Sequence, residues 1–382
     1  YTEDCRSGTY PPTGPTFKGN ISWYTVNLDQ APQERWQKLI SEKKTAVIRM
    51  RVSVKQTWYS CIGEHLELHF IDSDMFVLQP LLIGTLPSPF GEEIKGVADA
   101  SGLPLGEVML FNIFYEVFTV CTSVVAEDKS GKLYHARNLD FGLFLGWDVK
   151  NNSWMVTQLL RPLVVNVDFQ RNGKTVFVST SFAGYIGMLT GMKPGVFSLT
   201  MNERFSVDGG FIGVFEWILG KRDGMWMSFL TRSVLENSTR HGTFSFLCSY
   251  EEAKTLLSKT KLLAPAYFIL GGNKSGEACV ITRSRASCLD IWELDLKEGR
   301  WYVLETNYDR WKAPLPIDNR RDPAMKCMGR TSQQNISFGT IYDMLSTKPV
   351  LNKLTAYTTL MSVSDNKLEA YLRICPDPCM PW

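Results

Sequence analysis

The spacing of hydrophobic and polar positions changes several times along the chain. Residues 1–25 show no steady alternation, are rich in Gly, Pro and Thr, and predict an extended arm. Residues 27–43 predict a polar helix around Trp36 and Leu39, whereas residues 45–54 alternate and predict a strand. Glu92–Ala100 reads as a helix, and Pro104 suits the first turn of another that runs from Leu105 to Phe118. A hairpin follows: Cys121–Glu127 is β-prone, Asp128-Lys-Ser-Gly131 is a turn, and Lys132–Asp140 is β-prone again.

Further strands are expected near Met155–Phe169, Thr175–Ser181, Tyr185–Thr190 and Val196–Asn202. Helices are expected near Phe215–Leu219, Trp226–Leu235 and Ser249–Ser258, the last opened by a capping-box pattern, Ser249-Tyr-Glu-Glu252. Strands resume at Ala266–Leu270, Ala278–Thr282, Cys288–Leu294 and Trp301–Thr306, and residues 338–361 read as helical. A strand-rich middle flanked by helices predicts an α+β fold in which helix layers cover stacked sheets.

Composition narrows the class. With 44% hydrophobic residues in 382, the chain can bury a large core, which excludes a disordered or fibrous protein. The formal net charge is +2 and no Lys/Arg run is present, which argues against nucleic acid as a partner. The longest uncharged stretch, Met75–Gly91, is broken by Pro80, Gly84, Pro87 and Pro89, which argues against a bilayer helix. A start at Tyr1 rather than Met fits removal of a signal peptide or a trimmed N-terminus. Nine cysteines and sequons at Asn20, Asn151, Asn237, Asn273 and Asn335 point to the secretory pathway. Cys375-Pro-Asp-Pro-Cys379 suits a short disulfide ring, with a pair of free thiols as the alternative.

The hairpin brings chemistry together locally. A turn centred near residues 129–130 sets Cys121 opposite Leu139, so Cys121, Arg137 and Asp140 can cluster across strands about 4.8 Å apart. An Arg beside a thiol favours the thiolate, the reactive form. Taken alone, these residues more readily describe a buried structural cysteine beside a salt bridge. His135 shares a strand face with Arg137 and Leu139, so a Cys–His pair is a second possibility. His65 and His69 lack the Glu of a zincin motif, which leaves solvated or packed histidines as the first reading and a helical two-His site as the second, and no CxxC, P-loop, GxGxxG or GxSxG is present. The apolar run Phe141, Leu143, Phe144, Leu145 and Trp147 follows Asp140 and either lines an acyl pocket or joins the core. The run Phe211–Leu219 reads as a helix against the core, with a lipid-facing lip as the alternative.

Phe111-Asn-Ile-Phe-Tyr-Glu-Val-Phe-Thr-Val-Cys121-Thr-Ser-Val-Val-Ala-Glu-Asp, with His135-Ala-Arg-Asn-Leu-Asp-Phe-Gly142, closely resembles the acid ceramidase family of N-terminal nucleophile hydrolases. That family stands beside the N-acylethanolamine acid amidases and bile-salt hydrolases. The likeness continues through Thr200-Met-Asn-Glu-Arg-Phe, Leu263–Gly272, Thr306-Asn-Tyr-Asp-Arg-Trp311 and Cys375–Cys379, and spans most of residues 1–43 and 83–382.

The resemblance implies a four-layer αββα sandwich whose precursor cuts itself at Val120–Cys121. Residues 1–120 then form an α subunit, and residues 121–382 a catalytic β subunit. It assigns Cys121 as nucleophile, Asp140 as holder of the new α-amino group, Arg137 as support for the thiolate, and Asn307 as oxyanion donor. Arg320 would be the second arginine near the nucleophile, and Glu203 an aid to self-cleavage. It also implies disulfides Cys5–Cys327 and Cys375–Cys379, with no cofactor and no metal. Ceramide hydrolysis in the lysosome follows from the resemblance, with possible secretion and with help from a saposin-type activator or anionic membrane lipid. The alternatives are an N-acylethanolamine amidase and an inactive lipid-binding homologue that does not mature. Residues 45–82 and an apparent insertion at 240–248 depart from the family pattern, and each adds a cysteine, Cys61 and Cys248.

Overall fold

The computed structural model describes residues 2–62, 84, 86–117, 119–142, 146–205, 212–213, 216–217, 219–236 and 249–382, with side chains omitted for 52–62 and 113–117. Two sheets face each other. One has six strands, in the order 17–20, 367–373, 355–362, 133–141, 119–127 and 302–305. The other has eight, in the order 288–293, 278–283, 266–271, 197–203, 190–193, 174–182, 164–171 and 23–27. Helices Arg321–Thr331 and Phe338–Ser346 cover the outer face of the first sheet. Met227–Glu236 and Tyr250–Lys259 cover the outer face of the second, which completes a four-layer αββα sandwich.

Side-chain alternation explains the layering. Along Thr119–Glu127, Val124 and Ala126 pack outward against Met328, Ile341, Tyr342 and Leu345. Val125 points inward and meets Tyr267, Ile269 and Val280 of the other sheet. A strand with apolar residues on both faces is what a sheet buried on both sides requires.

The N-terminal arm is not loose. Phe17–Asn20 pairs antiparallel with 367–373 at the edge of the six-stranded sheet, and Trp23–Asn27 pairs parallel with 164–171 at the edge of the eight-stranded sheet. Cys5–Cys327 and Cys375–Cys379 are both disulfides.

Several sequence expectations need correction. Residues 45–54 are helix, inside Gln37–Ile62, because Ile40, Val47 and Met50 lie on one buried stripe at helical spacing. Residues 27–43 are not one helix: Trp23–Asn27 is a strand, Pro32–Glu34 is a single 3-10 turn, and the α-helix starts at Gln37. Met155–Leu160 is a helix before the strand Val164–Arg171 begins. Residues 185–189 form no strand: Gly187 lies so close to Ser228 that an added Cβ would sit 2.3 Å from its Oγ. Residues 338–361 divide into the helix Phe338–Ser346 and the strand Thr355–Ser362. The helix Arg321–Thr331 and the strands Phe17–Asn20, Trp23–Asn27 and Lys367–Arg373 had no counterpart in the pattern. His65, His69 and residues 240–248 lie outside the described residues.

Candidate active site

The hairpin forms in the predicted register, with Cys121 opposite Leu139 and Val120 opposite Asp140. Cys121 is fully buried, and its peptide bond to Val120 lies inside a continuous strand, Thr119–Glu127. Arg137, on the neighbouring strand and on the same face, donates from Nη2 to Cys121 Sγ at 2.5 Å. Its other terminal nitrogen donates to Leu189 O (2.6 Å) and Thr190 Oγ1 (3.1 Å), so the guanidinium is fixed from the opposite sheet.

The backbone of Cys121 is held as firmly. Its N–H donates to Asn307 Oδ1 at 2.9 Å, and its carbonyl accepts from Arg320 Nη1 at 2.6 Å. Arg320 Nη2 also donates to Asn307 Oδ1 (2.8 Å), while Asn307 Nδ2 donates to Glu203 O (2.7 Å). Both partners of Oδ1 are obligate donors and the partner of Nδ2 is a carbonyl, so only one amide orientation satisfies the network. Glu203 thus meets Asn307 through its main chain. Asp318 holds Arg320 in turn, accepting from Nε at 2.7 Å and from Nη2 at 3.1 Å.

Asp140 lies 3.8 Å from Arg320 Nη1 and accepts from Asn352 Nδ2 at 3.1 Å, while its Oδ1 is buried without a hydrogen-bond partner. Burial pushes its carboxyl up to about 6, against the pull of Arg320 and the Thr355 and Asn352 hydrogen bonds. Burial pushes the Cys121 thiol up to about 11, opposed chiefly by Arg137, with Asp140 adding to the rise. In this continuous strand Cys121 is therefore a thiol, set among guanidinium groups but lacking a nearby strong base.

His135 does not pair with Cys121. Four strand residues, about 13 Å, separate it from the level of Leu139. Its ring nitrogens bond Ser198 Oγ (2.7 Å) and Thr200 Oγ1 (3.0 Å), and burial drives its pKa down to about 3, so it stays neutral. Phe141 is buried near Phe182, and Trp147 is half-buried against Trp154; Leu143, Phe144 and Leu145 lie outside the described residues. The sequons at Asn20, Asn151, Asn273 and Asn335 are exposed, while Asn237 is outside the described residues. Among the described residues, no group of His, Cys, Asp and Glu could hold a metal ion, and no helix is long and apolar enough to cross a membrane.

Some site residues escaped the sequence reading. Asn202 Oδ1 accepts from Ser123 Oγ (2.9 Å) and Arg137 (3.4 Å), and its Nδ2 donates to the Glu305 and Thr306 carbonyls. It lies in the quoted stretch Thr200–Phe205, which was the one available signal. Thr190, Asn352 and Asp318 carry no local pattern that separates them from ordinary polar residues.

The family model for linear amide C-N hydrolases, choloylglycine hydrolase family, matches residues 121–325, beginning at Cys121. The model for the beta subunit of N-acylethanolamine-hydrolyzing acid amidase matches residues 19–75. The chain is 59% identical over its whole length to acid ceramidase of Homo sapiens, covering 93% of that protein, and 56% identical to that of Rattus norvegicus, covering 94%. A solved Caenorhabditis elegans N-acylethanolamine-hydrolyzing acid amidase ortholog superposes with a TM-score of 0.54 at 32% identity, covering 67% of this chain and 100% of that one. An N-terminal nucleophile hydrolase sandwich with an arginine-bound cysteine at the edge of a match beginning there has one reading: the chain belongs to the acid ceramidase family of linear amide C-N hydrolases and is an amidohydrolase.

Proposed function

We propose that the chain hydrolyses the amide bond of ceramide, giving sphingosine and a free fatty acid, after cutting its own Val120–Cys121 bond. The observation that carries this reading is the grip on Cys121, with Sγ on Arg137, N–H on Asn307 and carbonyl on Arg320, all on an uncut strand. Cys121 Sγ attacks the Val120 carbonyl carbon, the peptide bond breaks, and the amide nitrogen leaves as the α-amine of Cys121. Water then hydrolyses the resulting thioester and frees both the thiol and the Val120 carboxylate.

The cut changes the electrostatics of the site. The new ammonium has the partnerless Oδ1 of Asp140 to bind, which draws that carboxyl back toward its ionised form. In its neutral form the amine stands beside its own thiol and takes the thiol's proton, becoming that ammonium, so it serves as the base that the uncut strand lacks. Cys121 then attacks the ceramide carbonyl, sphingosine leaves with a proton, and water hydrolyses the acyl-thioester. Asn307 Nδ2 carries two N–H groups and gives one to Glu203 O, so the other can donate to the developing oxyanion; such a donor typically accounts for about 10²–10³ in rate. Glu203 assists by fixing Asn307. This reading places the enzyme in the lysosome, with glycans on the exposed sequons and with an anionic membrane or a saposin-type activator presenting the substrate.

Sequencing of the purified protein is expected to give a second N-terminus at Cys121-Thr-Ser, and Cys121→Ala an intact, inactive chain. Normal scission in that variant would defeat the proposal. The match of residues 19–75 to an acid amidase subunit favours a second reading, preference for N-acylethanolamines. Parallel assays at acidic pH decide between them by the larger kcat/KM.

A further inference from the structure

The segment after strand 367–373 touches three separate supports of the catalytic centre. Its Cys375–Cys379 ring is followed by Met380, whose carbonyl accepts from Lys353 N (3.0 Å), beside the Asn352 that holds Asp140. The carbonyl of Pro381 accepts from Trp154 Nε1 (2.8 Å). Trp154 packs on Trp147, and it caps the helix Met155–Leu160, whose Thr157 bonds the carbonyl of Phe141, next to Asp140. Trp382 then donates from Nε1 to Ile317 O at 3.1 Å, with its ring 6.5 Å from that of Trp154.

Ile317 is the middle residue of the turn Pro316–Asp318, which buries none of its residues. A cavity of about 530 Å3 lies behind that turn, bounded by Trp382, Met380, Asp318, Arg320 and the Cys5–Cys327 disulfide. Core packing therefore does not fix the turn, yet its Asp318 carries Arg320, and Arg320 carries both Cys121 O and Asn307 Oδ1.

We propose that Trp382 is a positioning residue for the hydrolytic reaction, a peg that holds the 316–318 turn so that Asp318 keeps Arg320 aligned on Cys121 and Asn307. The proposal rests on the reading of Cys121 as nucleophile. Its test uses the full chain in three forms, Trp382→Ala, Trp382→Phe and Cys121→Ala, with kcat and KM for a ceramide substrate normalised to the amount of cut chain. Thermal unfolding is measured alongside. Trp382→Ala is expected to lower kcat roughly 10-fold or more, the scale of a small misalignment, with KM within about twofold and the unfolding midpoint nearly unchanged. Trp382→Phe keeps the ring contact and loses the N–H, so it should recover only part of that loss. Wild-type kcat in Trp382→Ala overturns the proposal, as does a fall in kcat matched by a fall in unfolding midpoint in both Trp382 variants. Activity surviving in Cys121→Ala overturns the underlying reading instead, and is a separate result.

Discussion

At the scale of single residues, the site is defined by which donors have no freedom. Arg137 spends its fork on Leu189 O, Thr190 Oγ1 and Cys121 Sγ, an arrangement a point charge cannot reproduce. Arg137→Lys is therefore expected to cut kcat by at least about 10-fold while charge is retained; unchanged kcat in a steady-state assay would refute the role. Asn307→Ala removes the acceptor for the Cys121 N–H and the proposed oxyanion donor together. It should slow scission and reduce hydrolysis by about 10²–10³, read by gel and by turnover. The core of this cluster was legible because it is local. A four-residue turn fixes the register, and the register fixes Cys121 against Leu139. Asn352 and Asp318 were not legible, because they reach the site from turns more than 170 residues from Cys121 in sequence, and nothing in their neighbours marks them.

At the scale of elements, the errors share a cause. Residues 45–54 carry β-branched residues in apparent alternation, yet Ile40, Val47 and Met50 satisfy a helical stripe, and burial of that stripe decides the outcome. Residues 338–361 mix apolar residues with Asp343, Lys348, Asn352 and Lys353 and are largely buried, so period could not separate the helix from the strand Thr355–Ser362. Where an end signal exists, the reading held. Ser249 accepts from Glu252 N while the Glu252 carboxylate accepts from Ser249 N, a complete capping box on Tyr250–Lys259. Ser249→Ala should cost about 1 kcal/mol in a denaturant titration, with amidase activity per folded molecule unchanged.

At the scale of the whole molecule, titration of buried groups sets how stability follows pH. Glu305 is fully buried and its pKa is pushed up to about 8, chiefly by burial, with Arg321 opposing. The folded chain keeps this proton where the unfolded chain, with an ordinary value of 4.5, has lost it. The stabilising contribution is thus complete below about 4.5 and disappears as pH rises through 8. His135 works in the opposite sense: its contribution is present above 6.5 and is lost as pH falls toward 3. Between pH 6.5 and 8 the Glu305 effect governs, so the unfolding midpoint should drop over that range, and drop less in Glu305→Gln. Cohesion across the proposed cut has its own anchor. Glu93, before residue 120, is buried in a bidentate pair with Arg232, after it, and also accepts from Arg35 and Trp36. The paired strands of residues 17–27 have a further consequence. Because one short stretch closes the outer hydrogen-bonding row of both sheets, stripping away the smaller fragment would leave two bare rows of backbone donors and acceptors at once. A large fragment prepared alone should therefore recruit copies of itself by strand addition and precipitate rather than persist as a lone catalyst.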